Sequence, residues 1–309
     1  MALVPQAQAI CDATNAIEPI VLCDDTLAEQ RMSYGMLLMM AGEPEPVFHV
    51  ADSNADGVPV RIFRPSPSPD LPVLLHIHGG GWTIGNVDQY DPIARQIANA
   101  TNAIVVSVDY RLAPEHPYPA GLDDCWTALL WAAKNASTFG GDPARLAIIG
   151  DSAGGNHAAV CALLARDAGS PDLALQVLVY PVTDCVFDTK SYGENGAGYL
   201  LDTTQMHWFF DCYTRGGCDP ADWHISPLRA ADLSGVAPAF VLTAEYDPLR
   251  DEGEAYAKRL EEAGVSVTSY RYDGMIHGFF GLSAAFDASR DAMHRVGTEV
   301  RRAFGTLVA

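Results

Sequence analysis

From residue 45 onward, short apolar runs alternate with longer stretches of helical spacing. The runs are residues 58–63, 73–78, 103–108, 146–149, 175–180, 239–244 and 265–270. Most are rich in β-branched residues and nearly continuous, which predicts strands buried on both faces. Between them, residues 91–100, 122–136, 155–168, 252–263 and 285–304 place apolar residues at helical spacing, and several end with Gly or Asn just beyond, as helix stops do. This alternation predicts an α/β fold: a mostly parallel sheet with helices on both faces.

Two segments break the rhythm. Residues 1–44 precede the first predicted strand and contain a helical stretch ending in Tyr34-Gly35-Met36-Leu37-Leu38-Met39-Met40, and residues 186–227 form a long insert rich in Tyr, Phe and Trp. Connections of that length usually carry function. No internal repeat or interdomain linker is visible.

The 309 residues are 49% hydrophobic and 19% charged, enough apolar material for a sizeable core and no case for global disorder. Nineteen Lys and Arg against 39 Asp and Glu leave a net charge of −20, which argues against nucleic acid or an anionic membrane surface as partner. The first 30 residues hold no Lys or Arg and no long apolar run, and no uninterrupted membrane-spanning stretch occurs, so the expected location is cytoplasmic. The seven cysteines (Cys11, Cys23, Cys125, Cys161, Cys185, Cys212, Cys218) form no C-x-x-C pair and read as reduced thiols.

The sharpest local signal is Gly150-Asp151-Ser152-Ala153-Gly154-Gly155-Asn156, which follows the apolar run 146–149 and opens a helix of small residues. A strand-to-helix turn of this kind holds its serine in a strained conformation, and the glycines two residues on either side let strand and helix close up and expose Oγ. Ser152 is therefore the candidate nucleophile. A serine hydroxyl does not ionise at neutral pH, so it needs a base and donors for the oxyanion. His78-Gly79-Gly80-Gly81-Trp82 follows another strand, and its glycines, with the N–H of Ala153 at a helix start, can supply those donors.

Among nine histidines, His277 is best placed as base, in Gly274-Met275-Ile276-His277-Gly278-Phe279 after the last strand, where the carboxyl ends of strands meet at a site. His76 and His78 alternate along a strand without a metal-ligand partner pattern, so no metal is expected; His78 reads as a brace for the glycine loop and His116 as a turn residue. Asp247, in Tyr246-Asp247-Pro248-Leu249-Arg250-Asp251, follows the run 239–244 and can orient the base, with Glu245 and Asp251 as rivals by sequence. The chain order Ser, Asp, His is that of one hydrolase architecture, distinct from the chymotrypsin and subtilisin orders.

With Asp109-Tyr110-Arg111-Leu112-Ala113-Pro114-Glu115 added, these motifs make the sequence resemble, over nearly its whole length, the α/β-hydrolase fold and within it the bacterial hormone-sensitive-lipase-like (family IV) esterases, in their Gly-Asp-Ser-Ala-Gly subgroup. The resemblance implies a carboxylesterase on short- to medium-chain acyl esters, without a cofactor and often dimeric. It implies Ser152, Asp247 and His277 as the triad, and Gly79, Gly80, Gly81 and Ala153 as the oxyanion hole. It also implies a cap built from residues 1–44 and 186–227 on a catalytic domain of residues 45–185 and 228–309. Trp82, Met36, Met40, Tyr199, Trp208 and Phe209 are then the expected pocket residues. The triad alone leaves an amidase or arylformamidase open, because the pocket selects the leaving group. A non-catalytic small-ligand receptor on the same fold is a third reading, against which the presence of His277 stands.

Overall fold

The computed structural model describes residues 2–307. Two helices, α1 (Pro5–Asn15) and α2 (Leu27–Leu38), come first, and the hairpin of β1 (His49–Ala55) and β2 (Val58–Arg64) follows. The two-residue turn between its strands is Asp56-Gly57, both at positive φ (52° and 106°), the conformation that matches the twist of paired strands. Strand β1 lies outside the runs expected from sequence. It is a half-exposed edge strand, His-Val-Ala-Asp-Ser-Asn-Ala, without the apolar continuity that marked its neighbours.

The chain continues through β3 (Leu71–Ile77), α3 (Asp91–Thr101), β4 (Ile104–Val108), α4 (Ala120–Asn135), β5 (Gly141–Asp151), α5 (Ala153–Ala168) and β6 (Gln176–Val179). The short α6 (Lys190–Asn195) and α7 (Thr203–Tyr213) lie in the insert, before β7 (Ala239–Tyr246), α8 (Arg250–Glu262), β8 (Val267–Ile276) and α9 (Asp287–Ala303). The strands form one eight-stranded sheet in the order β1-β2-β4-β3-β5-β6-β7-β8, parallel from β4 to β8. The expected mostly parallel α/β architecture is what the structure has.

Alternate residues of the central strands feed two separate cores. Ile104, Val106 and Val108 of β4 join Leu75, Ile77 and Val241 in a cluster with α4, α5 and α8. Val105 joins Leu74, Phe240 and Leu242 in a second cluster with α3 and α9. Because both faces are covered, both side-chain sets are apolar, which is why these strands read as continuous runs. The last strand departs from that expectation: β8 is an edge, and residues 268–271 are exposed. From the parallel neighbours β3 and β5 the chain continues to opposite sides of the sheet, to β4 and to β6, and at such a switch point a crevice opens beyond the strands' carboxyl ends.

A third cluster sits above that crevice. Tyr192, Leu201, Met206, Phe209, Phe210 and Tyr213 of the insert pack with Trp82, Ile84, Val182 and Ala153.

Candidate active site

Each residue expected in the triad and the glycine loop stands just past a strand. Ser152 follows β5, Asp247 follows β7, His277 follows β8, and the 79–81 glycines follow β3. Ser152 is held at φ 54°, ψ −121°, a conformation costly for a residue with a Cβ. The flanking glycines allow the turn: a Cβ on Gly150 would lie 2.2 Å from Gly154 O, and one on Gly154 would lie 2.1 Å from Ile77 O.

The three side chains form one hydrogen-bonded line. His277 Nε2 is 3.1 Å from Ser152 Oγ, and His277 Nδ1 is 2.8 Å from Asp247 Oδ2. Asp247 is fully buried, and its other oxygen accepts the Leu249 N–H at 2.8 Å. With Nδ1–H given to the carboxylate, Nε2 is left as acceptor for the serine proton. The Tyr180 ring lies 4.4 Å from the imidazole and limits how it can turn. Of the sequence rivals, Glu245 accepts the Gly274 N–H at 2.6 Å, and Asp251 accepts the Ser191 N–H at 2.8 Å; neither is bonded to His277.

The donor set differs from expectation at one position. The Gly79 N–H donates to Asp151 Oδ1 at 3.0 Å, so it is already taken and unavailable to a bound oxygen. The N–H groups of Gly80, Gly81 and Ala153 have no acceptor among the described residues. Gly80 and Gly81 both have positive φ (113° and 56°), which turns the loop. Ala153 opens α5, where the helix's first N–H groups lack internal partners and carry partial positive charge.

The expected pocket residues fall into two groups. Phe209 packs its ring on the Cα of Gly81, and half-buried Trp208 lies beside it, ring centroids 5.3 Å apart. Met36 and Met40 are exposed on and just after α2, and Tyr199 rests on Tyr246. Trp82 departs from expectation. It is 1% exposed, stacked on Tyr213 at 4.3 Å and edge-on to Phe210, so its ring is packing under the insert rather than lining open space.

Several residues that support this site were given no role from the sequence. Asn195 donates to Glu245 O and Asp247 O, fastening α6 to the loop of the buried aspartate. Asn156 donates to Val182 O and Ile225 O, joining the two ends of the insert. Buried Glu252, whose carboxyl is pushed well up by burial, accepts the Thr183 N–H at 2.7 Å and the Asp184 N–H at 3.3 Å. Single polar residues inside helical or loop patterns look like surface positions, and only the fold reveals that they are buried.

The other histidines are structural in their contacts. His76 Nδ1 meets Ser107 Oγ at 2.9 Å, and His78 Nδ1 meets Gly79 O at 2.8 Å while its ring stacks on Tyr110. Burial lowers His76 to about 3 and His78 to about 4, so both are neutral. The 109–115 loop is a brace: Asp109 accepts the Val87 N–H, Arg111 pairs with Asp124, and Glu115 pairs with Arg31 of α2. All seven cysteines are free thiols. Among the described residues no group of three His, Cys, Asp or Glu is placed to hold a metal, and no helix is long and apolar enough to cross a membrane.

A serine on a strand-to-helix turn at the switch point of a mostly parallel sheet, hydrogen-bonded in line to a histidine and an aspartate on later strand ends, is the arrangement of an α/β hydrolase. The chain belongs to that family, whose profile, described as an alpha/beta hydrolase fold, matches residues 74–281, and the hormone-sensitive-lipase-like kinship holds. It is 47% identical over 251 residues to the carboxylesterase NlhH of Mycobacterium tuberculosis, covering 80% of this chain and 78% of that one. An arylesterase of Saccharolobus solfataricus is 40% identical over 258 residues, covering 82% and 84%. Among solved structures, an α/β hydrolase from the metagenome of Lake Arreo, Spain, superposes with a TM-score of 0.92 at 40% identity, covering 98% of this chain and 99% of that one. The esterase of the archaeon Pyrobaculum calidifontis gives a TM-score of 0.88 at 37% identity, covering 99% and 100%.

Proposed function

We propose that this enzyme is a serine carboxylesterase that cleaves short- to medium-chain acyl esters. The observation that carries the reading is the line Ser152 Oγ, His277 Nε2, His277 Nδ1, Asp247 Oδ2, at 3.1 and 2.8 Å, beside unbonded N–H groups of Gly80, Gly81 and Ala153. Ser152 Oγ attacks the ester carbonyl as His277 takes its proton, and Asp247 stabilises the imidazolium. The developing oxyanion is received by the N–H groups of Gly80, Gly81 and Ala153. The alcohol leaves with the proton from His277, and water then repeats the sequence on the acyl-enzyme.

The N-terminal segment 1–44 and the insert 186–227 act as a cap on the catalytic domain of residues 45–185 and 228–309. Phe209, Trp208, Tyr199, Met36 and Met40 offer it apolar, adaptable walls for the acyl and alcohol groups. The serine motif supports membership of the Gly-Asp-Ser-Ala-Gly subgroup. A reducing, cytoplasmic setting accords with the free thiols, and a homodimer is the assembly that the family resemblance implies. The named activities of the relatives support an ester over an amide as substrate.

The test is hydrolysis of p-nitrophenyl esters from acetate to palmitate by the wild type and Ser152→Ala. Activity that peaks at short or medium acyl chains and disappears in the variant supports the reading. A folded wild type that cleaves matched amides and no ester refutes it.

A further inference from the structure

Asp151 stands immediately before the serine, is buried, and belongs to none of the catalytic steps above. Its Oδ1 accepts the Gly79 N–H at 3.0 Å, and its Oδ2 accepts the Tyr90 O–H at 3.1 Å. Tyr90 Oη is in turn 2.6 Å from Tyr34 Oη on α2. Because Tyr90 gives its proton to the carboxylate, Tyr34 must be the donor in that last bond. The contact with Gly79 is so close that a Cβ there would lie 2.4 Å from Asp151 Oδ2. Two sequence features, a glycine and a buried acid, thus serve one contact.

We infer that Asp151 is a positioning residue for the oxyanion-donor loop, and that Tyr90 and Tyr34 extend its hold to helix α2. The inference rests on the esterase reading for its catalytic consequence. By fixing Gly79, the carboxylate sets the direction in which the next two N–H groups point. A charged acceptor grips an N–H roughly twice as strongly as a neutral one, so the ionised form holds the loop best. A purely structural bond would be served by an amide without the cost of burying a charge. Protonation at Oδ2 occupies the site where Tyr90 donates. Tyr90 then has to turn its O–H to Tyr34, and the whole line reverses.

The groups around Asp151 are Tyr34 of α2, Tyr90 at the start of α3, Tyr110 after β4, Tyr180 after β6 and His277 after β8. His78 after β3 faces Tyr90, with ring centroids 5.2 Å apart. Burial raises the Asp151 carboxyl to about 6, inside the range where an esterase is assayed.

The pH profile of kcat on p-nitrophenyl butyrate, with wild type, Asp151→Asn and Tyr34→Phe, tests this. The wild type is expected to lose activity on the acid side through two ionisations. Asp151→Asn, which lacks the charge, is expected to show a single ionisation and a plateau lower by about fivefold, the effect of roughly 1 kcal/mol. Tyr34→Phe weakens the ionised state and moves the acid limb to higher pH. Amide hydrogen exchange at Gly79 reads the anchor without turnover and is expected to quicken at least about tenfold in Asp151→Ala. A wild-type profile and plateau in Asp151→Asn, or unchanged Gly79 exchange in Asp151→Ala, overturns the role of Asp151; an unmoved limb in Tyr34→Phe overturns the extension to α2. A wild type without ester hydrolysis refutes the functional reading alone, since Gly79 exchange still decides the anchor.

Discussion

The ring of Phe209 lies directly on Gly81, so close that a Cβ at residue 81 would fall 2.3 Å from Phe209 Cγ. One residue comes from the insert and the other from the loop that offers N–H groups to the site. The roof of the site therefore rests on the backbone that is to stabilise charge, and a side chain at either place changes both.

Gly81→Ala is expected to lower kcat by about 10²- to 10³-fold, the effect of displacing one oxyanion donor. Two causes act together, the clash with Phe209 and the φ of 56°. In the double variant with Phe209→Ala the clash is gone, and part of the activity should return. Steady-state kinetics on a short-chain ester measures both; no recovery in the double variant would assign the loss to backbone strain alone.

Ser152, the proposed nucleophile, is held in a conformation that costs stability. At φ 54° and ψ −121° a residue with a Cβ carries strain of about 1–3 kcal/mol, which glycine does not. Ser152→Gly should therefore be the more stable of two inactive variants, exceeding Ser152→Ala by about 1 kcal/mol or more. Urea unfolding at neutral pH decides it, and equal midpoints would show that the turn is relaxed.

Acid stability should be governed by buried histidines. Burial lowers His76 and His157 from 6.5 to about 3 and His78 to about 4. Below pH 6.5 the unfolded chain binds protons that the folded chain refuses, so stability falls as pH falls through that window. Three such protons correspond to a slope of up to about 4 kcal/mol per pH unit, and His157→Gln should remove about 1.4 of it. Asp151 opposes this trend: its raised carboxyl keeps a proton in the folded state up to about pH 6, so its own contribution falls as pH rises from 3.8. Unfolding free energies at pH 7, 6 and 5 test the slope, and a variant as steep as wild type would contradict it.

The three residues proposed as the triad are legible in the sequence because the chemistry proposed for them restricts where they can stand. Ser152 needs glycines at fixed offsets, and His277 and Asp247 need strand ends, so residue type and position coincide. Buried parallel strands were legible for a similar reason, since two covered faces leave only apolar letters. Strand β1 was not, because an edge strand is half polar, and the Asp56-Gly57 turn that could have signalled its hairpin went unread. The direction of the Gly79 N–H could not be read from three consecutive glycines. It depends on Asp151, 72 residues away in sequence. Trp82 shows the same limit: it was an expected pocket residue, whereas the insert folds down and stacks Tyr213 on it.

Covalent capture reports whether Ser152 is the group that attacks a carbonyl. A p-nitrophenyl alkylphosphonate should transfer its phosphonyl group to the enzyme with release of one equivalent of p-nitrophenol. Peptide mass mapping should then place the added mass on Ser152, with esterase activity lost in proportion. Stoichiometric labelling of another residue, or full esterase activity in protein whose Ser152 is modified, would rule out Ser152 as the nucleophile.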